Sequence, residues 1–367
     1  MSSGIGKTIR ELRRSKNWTL EQLSSRIGIQ KGPLGRIERG LNLPSAKVLQ
    51  NLSDTLCVPI DTFFPTKPKF VFTHCSKESK DLDIEPTKKL IEQVLQIKKA
   101  FHALEDICSV QKFASIPLTV PSEPTKDGME KLAKKVLTYF GVLDVVIYEY
   151  FELFENCGLR IVVFPFPKND FGISSISIYE PENQNVFFFL DSTKNVEKQL
   201  FSLVSDLGKI LIQNQINIQH QPLFPKAGRK EKRPINFSRA AGWFAGTFLM
   251  PQASVRKSVK QIGVAPNKWS YELLLRLKHR FGVSAESFLY RLDDLELITK
   301  ELKEEFKIKI DRHYEKTNFG EPDASKRKMT PNGRFFDLLA AAKNLCPEQA
   351  ELHEIEQLAK DLKIIRE

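Results

Sequence analysis

Apolar residues recur every three or four positions through the first sixty residues, which is the spacing of amphipathic helices. Ile5, Ile9 and Leu12 fall on one face of the first predicted helix. The arginines of that helix are predicted to point outward: Arg10, Arg13 and Arg14. Similar stripes continue to residue 64, and together they predict a bundle of five short helices.

The second and third predicted helices are separated by a glycine turn. Thr19 and Gln22 have the spacing of a capping box at the start of the second helix. Gly28 follows the last apolar residue of that helix, where a left-handed turn favours a residue without Cβ. Leu34 and Ile37 supply the inward face of the third helix. Two helices joined by so short a turn form the helix-turn-helix layout, whose second helix enters the major groove of DNA.

From residue 129 the pattern changes to helices followed by strands. Two helical segments, MEKLAKKVLTYFG and VVIYEYFELFENCG, precede three segments with strand character, LRIVVFPFP, GISSISIYE and NVFFFLD. The polar EPENQN between the last two strands predicts a hairpin. Helical spacing then returns in a stripe of leucines: Leu200, Leu203, Leu207 and Leu211. The predicted fold class is therefore mainly α with a small antiparallel sheet (α+β).

A polar stretch punctuated by prolines separates the two halves of the chain. Within it, one segment has apolar residues near helical spacing: Leu90, Ile91, Val94, Leu95, Phe101 and Leu104. Such a stripe either dimerises two chains or packs on its own domain, and the sequence favours neither. The predicted organisation is a helix-turn-helix domain, a linker containing this helix, an α+β domain and a helical extension, at residues 1–66, 67–128, 129–299 and 300–367.

Composition adds a preference for polyanionic partners. The 367 residues carry a net charge of +11, and residues 1–65 hold ten basic and five acidic side chains, a net of +5. The apolar fraction of 41% with 26 Phe fits a globular protein. Five widely spaced cysteines without a CxxC pair argue against a disulfide framework. No apolar run reaches membrane-spanning length and no signal segment precedes the first helix, so a cytoplasmic location is expected.

The N-terminal stretch resembles the XRE/Cro-type repressor domain, and the resemblance is carried by GIQKGPLGRIERG, by LPS and by LCVPIDTFF. It implies a double-stranded DNA operator bound by a homodimer. The residues expected at DNA are Thr19, Gln30, Lys31, Gly32, Arg36 and Arg39.

The roles of these residues follow from their chemistry. Gln30 can pair with adenine and Lys31 can donate to guanine, whereas Arg36 can reach a base edge or a phosphate. Arg39 and the helix ends are expected to hold the phosphate backbone. Glu38 is expected to be an internal salt-bridge partner, because a carboxylate facing phosphate is repelled. The glycines and proline of this helix leave few side chains to read bases, so modest specificity is expected.

The C-terminal half resembles the ImmA/IrrE-like metallopeptidase family over roughly residues 129–299. The resemblance is carried by the three strand segments, by EKQLFSLVSDLGKIL, by WFAGTFLMP and by WSYELLLRLKHRFGVSAESFLYRLDDLELI. It implies a zincin-like α+β domain with a winged-helix-like end.

Members of that family bind zinc through an HExxH helix, in which two His residues one turn apart chelate the metal and the Glu is the general base. Here Ser205 and Lys209 occupy the His positions, Asp206 the Glu position and Ala240 the downstream ligand position. A lysine ammonium has no lone pair for zinc. We therefore expect no metal, no cofactor and no peptidase activity. Asp206 and Lys209 either pair across the former metal site or are ordinary surface residues.

The leading interpretation is a DNA-binding transcriptional regulator of repressor type whose pseudo-peptidase domain senses a ligand. The effector is expected to be a small acyl-type molecule or a protein partner. The alternatives are an ImmA/IrrE-type zinc peptidase that cleaves a repressor, and an antitoxin or phage-type repressor. A basic loop is a further candidate for contacts with anions: Lys226, Arg229, Lys230, Lys232 and Arg233.

Overall fold

The computed structural model describes residues 3–16, 18–56, 58, 63, 69–73, 85–110, 124–143, 145–167, 173–180, 185–215, 237–327 and 329–364. The chain divides into two compact units, residues 1–68 and 69–367. None of the helices within the described ranges is long and apolar enough to cross a membrane.

The described part of the smaller unit contains four helices: α1 Ser3–Ser15, α2 Leu20–Ile27, α3 Lys31–Glu38 and α4 Ala46–Leu56. Each helix contributes one apolar face to a shared core: Ile5, Ile9, Leu23, Ile27, Leu34, Ile37, Leu49, Leu52 and Leu56. The stripes predicted for the first three helices therefore lie inside. The fifth predicted helix, ending at residue 64, lies outside the described residues except at positions 58 and 63.

Helices α1 and α3 touch at a glycine. A Cβ placed on Gly6 would lie 2.1 Å from the carbonyl oxygen of Ile37, far inside van der Waals contact. Only glycine therefore permits this approach. The close contact fixes the position of α3 against the rest of the bundle.

The prediction that all three arginines of α1 point outward is wrong for Arg13. Its side chain is buried, and it donates from Nε and Nη2 to the two carboxylate oxygens of Glu38 at 2.7 and 2.9 Å. Nη1 donates to the carbonyl oxygen of Trp18 at 2.7 Å. Helical periodicity placed Arg13 outside because it carries no information about a carboxylate on another helix. The expectation that Glu38 is an internal salt-bridge partner is met.

The described part of the larger unit contains four strands, with bounds β1 Lys69–Thr73, β2 Arg160–Phe164, β3 Ser175–Glu180 and β4 Asn185–Asp191. The helices described in it are α5 Glu85–Ile107, α6 Lys126–Tyr139, α7 Tyr150–Asn156, α8 Val196–Gln215, α9 Phe237–Leu249, α10 Gln252–Ile262, α11 Tyr271–Phe281, α12 Ala285–Asp294, α13 Lys300–Thr317, α14 Gly333–Leu345 and α15 Ala350–Asp361.

The four strands form one sheet in the order β1-β3-β4-β2. Strands β3 and β4 pair antiparallel, as the hairpin pattern predicts, and β1 pairs antiparallel with β3. Strand β2 runs parallel to β4, with Val162 opposite Phe189. The α+β fold class is confirmed, but the sheet is mixed and not purely antiparallel. The pattern within a strand indicates which faces are buried, and it does not indicate the direction of a neighbouring strand.

Both faces of the sheet are covered by helices. On β3, the hydroxyls of Ser175 and Ser177 bind a side chain of α8. Ile176 and Ile178 belong to a separate apolar core on the opposite face. Residues on β4 alternate in the same way, since Phe188 and the phenylalanines flanking it lie in different cores.

The second face of the sheet is covered by α5, α14 and α15. The stripe of α5 is largely buried there, with Leu90, Val94, Phe101 and Leu104 fully enclosed. The ring of Phe101 meets that of Phe187 on β4 edge to face, at 5.5 Å between centroids. Of the two interpretations of this stripe, packing on its own domain is therefore the one that these buried residues show. Strand β1 and α5 lie within residues 67–128, the predicted linker, yet both pack in the larger unit.

The C-terminal helices of the larger unit also belong to its cores. Helices α14 and α15, from the predicted extension, share the core of α5. Helices α11 and α12 lie in the predicted winged-helix-like end and are joined through Gly282, whose φ is +67°. Residues 250–300 are all described and contain no strand, so these two helices have no β wing within that range.

Candidate functional site

The helix-turn-helix is built by local interactions that its sequence predicts. The backbone N–H of Thr19 donates to Oε1 of Gln22 at 2.8 Å, and the N–H of Gln22 donates to Oγ1 of Thr19 at 3.2 Å. This reciprocal capping box starts α2. Gly28 ends the helix in a left-handed conformation, with φ +72°. The turn that follows sets the angle at which α3 leaves the core.

Helix α3 is divided into an inward and an outward face. The inward residues are Leu34, Ile37 and Glu38. The exposed residues include every position on and around α3 that was predicted to meet DNA: Gln30, Lys31, Gly32, Arg36 and Arg39. Gln30 is the N-cap of α3, and its side chain makes no capping hydrogen bond. This face therefore combines an amide, an ammonium and two guanidinium groups, the side chains that bind base edges and phosphates.

Two of the exposed cations already have partners on the protein. Lys31 donates from Nζ to Oε2 of Glu21 on α2 at 3.2 Å, and both side chains are well exposed. Arg39 donates from Nε to the carbonyl oxygen of Gly35 at 3.0 Å. A Cβ on Gly32 would meet no atom within 4 Å, so the surface beside this glycine is open. The basic loop that contains Lys226 lies outside the described residues, along with its other members.

The four positions that correspond to a zinc site lie on α8 and α9. Ser205, Asp206 and Lys209 of α8 are 4%, 0% and 7% exposed, and Ala240 of α9 is 1% exposed. They are therefore interior residues of the larger unit. The interpretation of Asp206 and Lys209 as ordinary surface residues is excluded by this burial.

Asp206 is the centre of a buried polar network between α8 and β3. Its Oδ2 accepts hydrogen bonds from the hydroxyls of Ser175 and Ser177, both at 2.8 Å. Its Oδ1 lies 3.5 Å from Nζ of Lys209. Burial raises the pKa of the Asp206 carboxyl above its ordinary value, whereas the Lys209 charge and the two serine hydroxyls act in the opposite direction. The predicted pairing of Asp206 with Lys209 is present.

The serines of this network were not identified from the sequence. Ser175 and Ser177 alternate with isoleucines in GISSISIYE, which is the pattern of a strand with one polar face. A second contact joins the same elements, since the hydroxyls of Ser174 and Ser202 lie 3.0 Å apart. The alternation of serines with isoleucines could have identified these residues, because a polar face on a strand that is buried on both sides requires polar partners opposite it.

These side chains do not fit a zinc ion. Zinc sites in proteins use neutral imidazoles, thiolates or carboxylates as ligands. Of the four positions only Asp206 is such a group, and both its oxygens are engaged by the serines and by an ammonium. Within the described ranges, no three His, Cys, Asp or Glu side chains are grouped so as to hold a metal ion.

Comparison with known proteins agrees with both halves of this description. The helix-turn-helix family model matches residues 9–63, and the model of the IrrE N-terminal-like domain matches residues 155–293. The chain is 40% identical over 60 residues to the uncharacterized HTH-type transcriptional regulator YazB of Bacillus subtilis (strain 168). This alignment covers 16% of this chain and 87% of YazB.

Two further similarities each cover a small share of the chain. The HTH-type transcriptional regulator SutR of Escherichia coli (strain K12) is 34% identical over 59 residues, 16% of this chain and 33% of SutR. The restriction-modification controller protein C.AhdI from Aeromonas hydrophila, known from a high-resolution crystal structure, has 27% sequence identity to this chain in the aligned region. The alignment covers 17% of this chain and 94% of C.AhdI, with a TM-score of 0.17.

The exposed face of α3, the capped turn before it and the matched residues therefore lead to one assignment. The chain belongs to the HTH-type transcriptional regulators, and it joins an N-terminal helix-turn-helix domain of XRE type to an IrrE N-terminal-like domain.

Proposed function

We propose that this regulator binds a specific double-stranded DNA operator as a homodimer and acts as a repressor, with its larger unit serving as a sensor. The observation that carries the proposal is the exposed face of α3. Every polar side chain predicted to reach DNA from this helix points to solvent, while Leu34, Ile37 and Glu38 anchor the opposite face.

Each exposed residue is assigned a role from its chemistry. Gln30 and Lys31, at the start of α3, contact base edges in the major groove. Arg36, about one turn further on, contacts a base edge or a phosphate, and Arg39 at the end of the helix holds a phosphate. Thr19, at the N-terminus of α2, places the first amides of that helix near a phosphate, where the helix dipole favours a negative charge.

The ion pair of Lys31 does not prevent DNA binding. An exposed pair such as Lys31–Glu21 contributes only about 0–1 kcal/mol. A bidentate contact with a base is worth about 1–3 kcal/mol. Replacing the contact with Glu21 by a contact with a base is therefore favourable at the operator and nearly neutral on other DNA sequences. Lys31 thereby helps the protein to discriminate between its operator and other DNA.

Binding affinity for a selected operator tests this assignment. We expect Lys31→Ala and Arg36→Ala each to weaken binding by about 1–3 kcal/mol. Gly32→Ala is a sharper test: the added methyl group meets no protein atom within 4 Å, so weaker DNA binding by a variant with an unchanged Tm indicates close approach of DNA at Gly32. Lys316→Ala removes the same charge from an exposed site on α13 and is the matched control.

The operator is obtained by selection from random DNA with the purified protein. Affinity is then measured at several salt concentrations, and a steep decrease with salt is expected from phosphate contacts. Equal losses for Lys31→Ala and Lys316→Ala would contradict the assignment of α3 as the recognition helix. Measuring transcription from the operator with and without the protein decides whether it represses.

We propose in addition that the larger unit is not a zinc peptidase. Support comes from the buried network in which the Lys209 ammonium and the serine hydroxyls surround Asp206, so that a cation of the protein itself stands beside the carboxylate. The effector of the sensor is a small molecule, acyl-type molecules included, or a protein partner. Metal analysis of the purified protein tests the proposal: stoichiometric zinc that is lost in Asp206→Ala would support a peptidase that cleaves a repressor.

A further inference from the structure

The larger unit contains a cavity of about 350 Å³ between α6, α8, α9 and α12. Its volume lies in the range of small-molecule sites, about 300–1,000 Å³. Three aromatic side chains belong to its described lining, Phe201, Trp243 and Tyr290, whereas the four zinc-site positions do not. The cavity is therefore separate from the network around Asp206, and its aromatic walls suit a ligand with a ring.

A buried hydroxyl in the wall of this cavity lacks a partner. Thr247 of α9 lines the cavity and is 2% exposed, and its Oγ1 has no hydrogen-bond partner among the described residues. Buried hydroxyls are normally hydrogen-bonded, and one left without a partner lowers the stability of the fold. The hydroxyl of Thr247 is therefore available to a ligand, and it can donate to a ligand oxygen.

Two glycines of α9 border the cavity one turn apart. A Cβ on Gly242 or on Gly246 would meet no atom within 4 Å. Gly208 of α8 is different, because its Cβ would lie 2.8 Å from the ring of Phe244, and packing explains that glycine. Neither packing nor a left-handed backbone requires Gly242 and Gly246, although glycine inside a helix is less stable than alanine. They leave open space beside the hydroxyl of Thr247.

The charged side chains of the lining are engaged by other groups of the protein. Lys126 pairs with Asp294 at 2.7 Å, and Arg291 pairs with Glu130 at 3.1 Å. The guanidinium of Arg239 lies 5.1 Å from the centroid of the tryptophan ring in the same lining, within the range of a cation–π contact. A charged ligand would have to displace one of these contacts or lose its hydration without a partner. The lining therefore favours an uncharged ligand.

We propose that this cavity binds an uncharged aromatic compound that carries a carbonyl oxygen. The ring of the ligand packs against the aromatic side chains and the open face of α9, and the carbonyl oxygen accepts a hydrogen bond from the hydroxyl of Thr247. The proposal names the ligand class of the sensor, and it rests on the proposed function only for the expectation that this ligand changes DNA binding.

Titration calorimetry of the full chain without DNA tests the ligand class with three probes of similar size. Acetophenone is expected to bind about threefold to tenfold more tightly than acetylcyclohexane, which keeps the carbonyl group and lacks the aromatic ring. We expect acetophenone to bind at least about tenfold more tightly than benzoate, because the carboxylate would lose its hydration in the cavity. Equal binding of acetylcyclohexane, or binding of benzoate as tight as that of acetophenone, would overturn the proposal.

Substitutions of Thr247 test the hydrogen bond. Thr247→Val removes the hydroxyl at nearly constant volume, and we expect the affinity for acetophenone to fall about threefold to tenfold. The Tm of this variant should be unchanged or higher, because the hydroxyl that it removes is buried without a partner among the described residues. Thr247→Ser keeps the hydroxyl and should keep most of the affinity. Thr138→Val, at an exposed position of α6, is the matched control and should bind acetophenone like the natural chain.

Gly246→Leu tests the open space beside α9. The added side chain occupies volume that the ring of the ligand needs, so we expect the affinity for acetophenone to fall at least about tenfold in a variant with an unchanged Tm. The proposal is overturned if acetophenone does not bind the natural chain at millimolar concentration, or if Thr247→Val binds it as tightly as the natural chain does. DNA binding by the ligand-free protein is measured separately, so its loss would refute the proposed function and not this site.

Discussion

The buried carboxyl of Glu155 makes the stability of the larger unit depend on pH in an unusual direction. Its side chain is 8% exposed, and Oε2 accepts a hydrogen bond from the N–H of Arg334 in the first turn of α14 at 3.2 Å. Burial raises the pKa of Glu155 from 4.5 to about 7, which outweighs the opposing effect of Arg334. Each unit of difference in pKa between the folded and unfolded states is worth about 1.4 kcal/mol, so this difference corresponds to about 3 kcal/mol in the free energy of unfolding.

The sign follows from which state holds the proton more tightly. Below pH 4.5 the folded and unfolded chains are both protonated at Glu155, and the full contribution is present. Between pH 4.5 and about 7 the unfolded chain ionises first, so the contribution falls, and above pH 7 it is lost. Glu155→Gln cannot ionise and keeps an oxygen for the Arg334 N–H. Relative to the natural chain, we expect the variant to gain about 3 kcal/mol between pH 4.5 and pH 8.

Denaturant unfolding followed by tryptophan fluorescence measures this difference. Of the three tryptophans, Trp18 lies in the smaller unit, so a Trp18→Phe background leaves Trp243 and Trp269 to report on the larger one. Comparing variant with parent at each pH cancels the other titrating groups. Glu152→Gln, exposed on the same helix, is the control and should follow the parent. If Glu155→Gln and its parent change in parallel from pH 4.5 to pH 8, the reasoning is wrong.

Two other substitutions probe close contacts in the two units. Gly6→Ala places a methyl group 2.1 Å from the carbonyl oxygen of Ile37, so we expect the free energy of unfolding to fall by at least about 3 kcal/mol, as followed by Trp18 fluorescence. Gly28→Ala introduces strain only through its φ of +72° and should cost about 1 kcal/mol, and equal losses for the two variants would contradict the contact at Gly6. Lys209→Met leaves the Asp206 carboxyl buried without its neighbouring cation, so a loss of about 3 kcal/mol is expected at pH 8. Burial raises the pKa of this carboxyl, so the loss should become smaller as the pH is lowered, and a loss independent of pH would show that the charge of Lys209 is not what matters.

Interactions between neighbours in sequence were the predictable part of this fold. The capping box of Thr19 and Gln22 and the glycine turn at Gly28 are local signals, and both are present in the structure. The inward position of Glu38 followed from charge, because a carboxylate on a DNA-facing helix needs an interior partner. Its partner could not be predicted, since Arg13 lies 25 residues away and has the periodicity of a surface residue.

Relations between distant segments were the unpredictable part. The parallel pairing of β2 with β4 depends on how the chain returns to the sheet, and the strand patterns are the same for either direction. The stripe of α5 gave no indication of whether a second chain or the sheet would cover it. A cavity lined by Trp243 lies between α6, α8, α9 and α12, and no pattern within any one of these helices indicates it.

The covering of the second sheet face has a consequence for synthesis of the chain on the ribosome. The smaller unit has its own core and is complete once residue 68 has emerged. The core beneath α5 also needs α14 and α15, whose residues are made more than two hundred positions later. During elongation, the apolar face formed by Phe187 and Phe189 can be covered by α5 but not by α14 and α15, so it stays partly exposed until residues 333–361 leave the exit tunnel. The smaller unit is thus finished before the larger one on every nascent chain, and that interval is when the exposed part of this face is most prone to aggregate.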